Sequence, residues 1–169
     1  MDFFGKLVIA LWIAVSLFVV SMFVWAKVEG RGVFSRTASI AYDSPATVEL
    51  SLKQDQFYLQ PLINALIQVE SNSGPNAIGD GGKAVGVLQL HKIYVDDANR
   101  MLGENRYSYD DRYDAAKSIE MFLIVSDHYA DHYQDWSDQG RARRHNGGPT
   151  GHLKEATLGY WKRVEEAMR

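Results

Sequence analysis

The sequence predicts a mainly α-helical domain with a small loop or β-hairpin insert, set behind an apolar N-terminal span. Three observations carry this reading. Across residues 52–169 apolar side chains recur three and four positions apart, the helical period. Residues 69–90, VESNSGPNAIGDGGKAVGVLQL, break that period with Gly74, Gly79, Gly81, Gly82 and Gly86. Leu7 to Ala26 form a run of 20 residues without a charge.

At helical rise that run spans about 30 Å, one hydrocarbon core. Lys6 and Lys27 bracket it, and Trp12 and Trp25 suit the two interfaces. A cleaved signal peptide has a shorter apolar region, about 7–15 residues, followed by a small-residue cleavage site. Trp25-Ala26-Lys27 is a poor site of that kind. Residues 1–27 therefore read as a retained single-pass anchor, with the lipid bilayer as partner through residues 7–26. Lys27, Arg31 and Arg36 outweigh Lys6 and the amino terminus, which weakly favours a cytoplasmic C-terminal part. Residues 28–51 lack a clear period and read as a linker, with Thr47-Val48-Glu49-Leu50 a short extended piece. Residues 52–169 form the domain.

Within it, Pro61 suits the first turn of a helix that carries Leu62, Ile63, Leu66 and Val69. Ser71, Asn72, Gly74 and Pro75 end that helix. Lys92 to Leu102 follows as a helix stopped by Gly103. Asp110 or Asp111 caps a long helix with Ala115, Ile119, Phe122, Leu123, Ser126 and Tyr129 on one stripe. A shorter helix includes Gln139 to Arg144. His145 to Pro149 reads as a loop, and Thr157 to Met168 as a helix turning Tyr160 or Trp161 inward.

The chain has no cysteine, which excludes disulfides, thiolate metal sites and a cysteine nucleophile. A formal net charge of -3 does not suit a general nucleic-acid binder, and no nucleic-acid partner is expected. The glycine stretch lacks the Gly-Lys-Ser/Thr ending of a phosphate loop and the acidic series of a calcium loop. His128 and His132 stand four apart on a helix, but a catalytic zinc takes three protein ligands and no third is apparent. They read as a polar face, and no metal or other cofactor is expected. Arg141, Arg143 and Arg144 read as a solvated helix face, with carboxylates of a substrate as the competing use.

The residue out of pattern is Glu70. Counting back by four gives Leu66 and Leu62, with Ile63 beside them, so Glu70 ends an apolar stripe. Desolvation and the negative end of a helix dipole both disfavour an ionised carboxylate at such a place. That suits a proton donor to a leaving oxygen. A glutamate at a helix end that simply turns to solvent is the bland alternative.

A resemblance adds to this. Glu70-Ser71, Pro75-Asn76-Ala77, Gly86-Val87-Leu88-Gln89 and His145-Asn146-Gly147-Gly148, in that order, resemble the signature of soluble-type (SLT) lytic transglycosylases. Those belong to the lysozyme-like superfamily, which includes goose-type enzymes, and the resemblance covers about residues 59–165. It implies a lysozyme-like helical domain with Glu70 as catalytic acid and then base. Ser71 and Gln89 would line the sugar cleft, Asn146 would contact substrate or orient the glutamate, and Tyr160 would lie near the site. The family's usual Ala-Tyr before the asparagine is Arg144-His145 here, so a hydroxyl is replaced by an imidazole or simply lost.

Hydrolysis of a glycoside generally uses two carboxylates. A lytic transglycosylase needs one, because the sugar's own 6-hydroxyl closes an anhydro ring. Asp80 is the candidate second carboxylate, against the plain reading of Asp80-Gly81 as a turn. Asp96 and Asp97 look like exposed helix residues. The resemblance thus implies a transglycosylase that cleaves the β-1,4 MurNAc-GlcNAc bond of peptidoglycan glycan strands to 1,6-anhydroMurNAc. A lysozyme-type muramidase using Asp80 and a non-catalytic wall-binding protein are the alternatives. Such an enzyme must face the wall, so the domain is expected to be extracytoplasmic or in a virion membrane. A bacteriophage muralytic enzyme of endolysin type reconciles this with the flanking charges.

Overall fold

A computed structural model describes residues 45–169. The expected span at Leu7 to Ala26 and most of the expected linker lie outside the described residues. Among the described residues no helix is long and apolar enough to cross a membrane.

The described residues fold as five α-helices, short 3₁₀ turns and one small hairpin. Helix α1 runs Pro45–Ser71. It is longer than the sequence suggested: Thr47 to Leu50 are helical rather than extended, and Pro61 lies inside the helix rather than in its first turn. Pro45 fits the first helical position, where its missing N–H is an orphan in any case. Pairs four residues apart hold the upstream half, with Lys53 Nζ 2.7 Å from Glu49 and Gln60 Nε2 2.7 Å from Asn64 Oδ1. Pro61 cannot donate to the carbonyl of Phe57. Phe57 is 78% exposed, so water can take that bond and the interruption is tolerated.

Strands β1 (Ile78–Gly79) and β2 (Ala84–Val85) pair antiparallel, Ile78 opposite Val85 and Gly79 opposite Ala84, around a 3₁₀ turn at Asp80–Gly82. The glycine stretch is therefore a hairpin. Helix α2 (Lys92–Leu102) ends at Gly103 with φ 72°, the left-handed stop its glycine predicted.

Helix α3 (Ala115–Tyr133) is the central element and packs against α1, α2 and α4. Every residue from Met121 to Asp127 is buried, so the helix is enclosed on all sides rather than along one stripe. Its cap is Asp114, which accepts from the Lys117 N–H, and not Asp110 or Asp111. Asp111 instead closes a capping box with Ser108 on the 3₁₀ turn Tyr109–Tyr113.

Helix α4 (Asp138–Gly147) includes His145, Asn146 and Gly147, which the sequence assigned to a loop. It is starved of apolar residues and hides its inward face by pairing charges. Arg141 Nη1 is 2.6 Å from Asp127 Oδ1 and from Ser126 Oγ, and Arg144 Nη1 is 3.0 Å from Asp135. Arg141 and Arg144 are therefore buried at 4% and 5% exposure, not solvated as a charge run suggests. Helix α5 (Leu158–Ala167) packs on α1 and α4 and buries Tyr160 and Val164.

Candidate active site

Helices α1, α4 and α5 meet at Glu70. Leu62, Ile63 and Leu66 are buried as the stripe requires, and they carry Glu70 to the inner side of the helix end. Its side chain is 18% exposed. Tyr160 of α5 donates its hydroxyl to Glu70 Oε1 at 2.6 Å. His145 of α4 places Nε2 3.5 Å from the same oxygen. Burial, reinforced by the Glu70 carboxylate, pushes the Tyr160 phenol far above its ordinary range, so it remains a donor. Burial likewise pushes His145 below its usual value, opposed by Glu70 and by the backbone at Leu88.

Opposite the helix end, the hairpin is fixed by Gln89 within it and by Arg112 from the turn Tyr109–Tyr113. Gln89 sits at φ 48° and its amide nitrogen donates to the carbonyls of Ala77 at 3.0 Å and Gly86 at 2.9 Å. Gly86, at φ 77°, lies against Arg112: a Cβ there would stand 1.9 Å from the Arg112 carbonyl oxygen. The buried Arg112 guanidinium spans the joint, giving Nη1 to the carbonyls of Lys83 and Leu90 and Nε to that of Tyr109.

Between helices and hairpin lies a cleft of about 540 Å³. Glu70, Asp80, Gln89, Tyr94, His145 and Asn146 all line it. Asn146 is exposed on its wall. Asp80 adopts a left-handed backbone, φ 48°, and its carboxylate lies 3.5 Å from His91 Nε2. Such backbone strain in a non-glycine residue clusters at functional sites.

The expected sugar-contacting residues divide. Gln89 and Asn146 line the cleft, although both amide donations of Gln89 go to the hairpin backbone. Tyr160 acts on Glu70 from behind. Ser71 is not among the cleft residues, and its hydroxyl donates back to the Ile67 carbonyl at 3.0 Å, an ordinary helix-end bond. Asp97 also lines the cleft, whereas Asp96 is exposed beside it. Sequence reasoning did not find His91 as a lining residue or Arg112 as the hairpin's anchor. No spacing rule marks them, because long-range packing brings them there. Among the described residues no group of three acidic, histidine or cysteine side chains is arranged to hold a metal.

Residues 51–139 match the family model of the transglycosylase SLT domain, more than half of the chain. The chain belongs to that family. The matched stretch of the SLT domain contains Glu70, Asp80 and Gln89, while His145, Asn146 and Tyr160 lie beyond it. The chain is also 34% identical over 91 residues to a lysozyme of Meretrix lusoria, covering 51% of this chain and 69% of that lysozyme. A chain in the crystal structure of Aeromonas hydrophila PliI in complex with Meretrix lusoria lysozyme superposes with a TM-score of 0.53 at 26% identity. That match covers 63% of this chain and 88% of the other. The SLT domain here is thus a lysozyme-like fold whose family and relatives are peptidoglycan-acting glycosidases.

Proposed function

We propose that this domain cleaves the β-1,4 bond between N-acetylmuramic acid and N-acetylglucosamine, with Glu70 as general acid. One observation carries the proposal: among the described residues Tyr160 and His145 both meet Glu70 at Oε1, and Glu70 lines a cleft of about 540 Å³. Glu70 donates its proton to the glycosidic oxygen as the C1–O bond breaks. Tyr160 holds the carboxylate while its charge changes.

The geometry favours hydrolysis as the outcome. Asp80 lines the same cleft, its side chain is 57% exposed, and it faces an imidazole. An exposed carboxylate lining the same cleft as a more buried one is the paired arrangement that glycoside hydrolysis uses. The similarity to the Meretrix lusoria lysozyme supports the same outcome. Asp80 would then act as nucleophile or base, and water would end on C1. The second reading is the anhydro-forming transglycosylase that the sequence suggested. The SLT match supports it, since that chemistry needs Glu70 alone. Anchoring through residues 7–26, with the domain facing the wall, belongs to both readings and rests on the uncharged run of 20 residues.

The test incubates the full chain with purified peptidoglycan and reads new sugar ends by mass spectrometry, with Glu70→Gln as control. Reducing ends that vanish in the control and in Asp80→Asn support hydrolysis. Ends lighter by one water, surviving in Asp80→Asn, support the transglycosylase. A folded chain that releases neither is left with wall binding alone, and the catalytic proposal falls.

A further inference from the structure

His145 has no role in either reading above, yet it is placed as though it had one. Its side chain is only 4% exposed although it lines the cleft. The rings of Tyr94 and Phe122 meet it edge-on, with centroids 5.7 and 5.5 Å away, and fix its plane. Nδ1 is buried and has no hydrogen-bond partner. Nε2 faces Glu70 Oε1 at 3.5 Å. The Leu88 backbone also bears on the ring, and a ring proton placed on Nε2 is the one that faces the Glu70 acceptor. The groups facing this pair are Glu70 from α1, Tyr94 from α2 and Tyr160 from α5, with Arg163 behind Tyr160. On its own helix, Arg144 is engaged by Asp135.

We propose that His145 is a positioning residue for Glu70. Its Nε2–H joins the Tyr160 hydroxyl on Oε1, so that Oε2 is the oxygen that passes the proton to the substrate. The inference rests on the proposed function of the same site. The 3.5 Å separation is longer than a good N–H···O bond, a slack common in acid–base sites before substrate closes them. The packing against Tyr94 and Phe122 has a second effect. An imidazolium beside Glu70 would hold the carboxylate ionised and remove the acid. An imidazole kept neutral donates without stealing the proton.

The substitutions are His145→Phe, which keeps a ring and loses the donor, and His145→Gln, which keeps an amide N–H. For His145→Phe, kcat should fall about tenfold with KM nearly unchanged. The alkaline limb of its rate profile should move to higher pH, because a carboxylate that loses a donor keeps its proton longer. His145→Gln should recover most of the rate and the original limb. A His145→Phe variant with the parent's kcat and profile overturns the proposal. So does a His145→Gln variant as slow as His145→Phe with the limb unmoved, since that is packing alone. A measurement independent of turnover separates this idea from the proposed activity: the imidazole ¹⁵N signals of His145 in the full chain and in Glu70→Gln. Signals that move in a chain found inactive leave the pairing standing and the activity refuted. Signals that do not move refute the pairing.

Discussion

In the proposed reaction, Glu70 and Tyr160 set the chemistry at the scale of single residues. Replacing Glu70 with Gln keeps the volume and removes the transferable proton. The rate of glycan cleavage should drop roughly a thousandfold, within the range for a lost acid–base group, while the circular dichroism spectrum stays that of the parent. Tyr160→Phe removes only the hydroxyl that donates to Oε1 at 2.6 Å. It should lower kcat about tenfold and cost no more than about 1–3 kcal/mol in urea unfolding, the range for a part-buried bond to a charged group. Glu70 was legible in the sequence because it interrupts a helical stripe. His145 was visible as a departure from a motif, but its distance from Glu70 was not, since that depends on how α4 docks. Ser71 is the converse case: adjacency to Glu70 drew attention to it, and the helix-end geometry turns its hydroxyl back on Ile67.

At the scale of elements, the hairpin depends on one arginine. Arg112 Nη1 donates to Lys83 and Leu90 at 3.0 Å each, and Nε to Tyr109 at 2.7 Å. Arg112→Ala removes three hydrogen bonds from the joint, leaving the Leu90 carbonyl only the Val85 N–H, and should cost roughly 3 kcal/mol or more. Amide hydrogen exchange should quicken across residues 78–90 before it does in α3. Gly86→Ala should damage the same joint for a different reason, through backbone conformation and a collision with the Arg112 carbonyl. Thermal melting of both variants, with exchange read peptide by peptide, checks the pair. Helix existence was readable from periodicity and caps: α2 stopped at its glycine, and α5 turned Tyr160 inward. Helix limits were less readable. Thr47 to Leu50 have strand-like composition but continue α1, and Pro61 sits where solvent can satisfy the bond it breaks. In α4, polar residues hid a buried face, because its burial is achieved by Arg141 with Asp127 and Arg144 with Asp135 rather than by apolar spacing.

At the scale of the whole molecule, the buried charges set how stability follows pH. Burial pushes the Asp127 carboxyl up from 3.8 to about 6, against the pull of Arg141 and with a further push from Asp55. A carboxyl raised in the folded state binds its proton more tightly there than when unfolded. Its contribution is therefore greatest below about 4 and is lost as pH rises through about 6. His145 and His128, both lowered by burial, work the other way: what they contribute is kept above their ordinary 6.5 and lost as pH falls. The comparison that isolates Asp127 is urea unfolding of the parent and Asp127→Asn at pH 7 and pH 4. The parent should gain on the variant by up to about 3 kcal/mol toward the acid side, the linkage value for a displacement of that size. A flat difference would mean that the carboxyl stays ionised throughout. The bond between Glu70 and Tyr160 also joins residues 90 positions apart. A chain emerging from the ribosome displays its acid long before the hydroxyl that steadies it has been synthesised. The cutting centre therefore cannot mature piecemeal. On the proposed function, the paired centre forms only once α5 has docked, so a cell making the chain is spared fully competent fragments along the way.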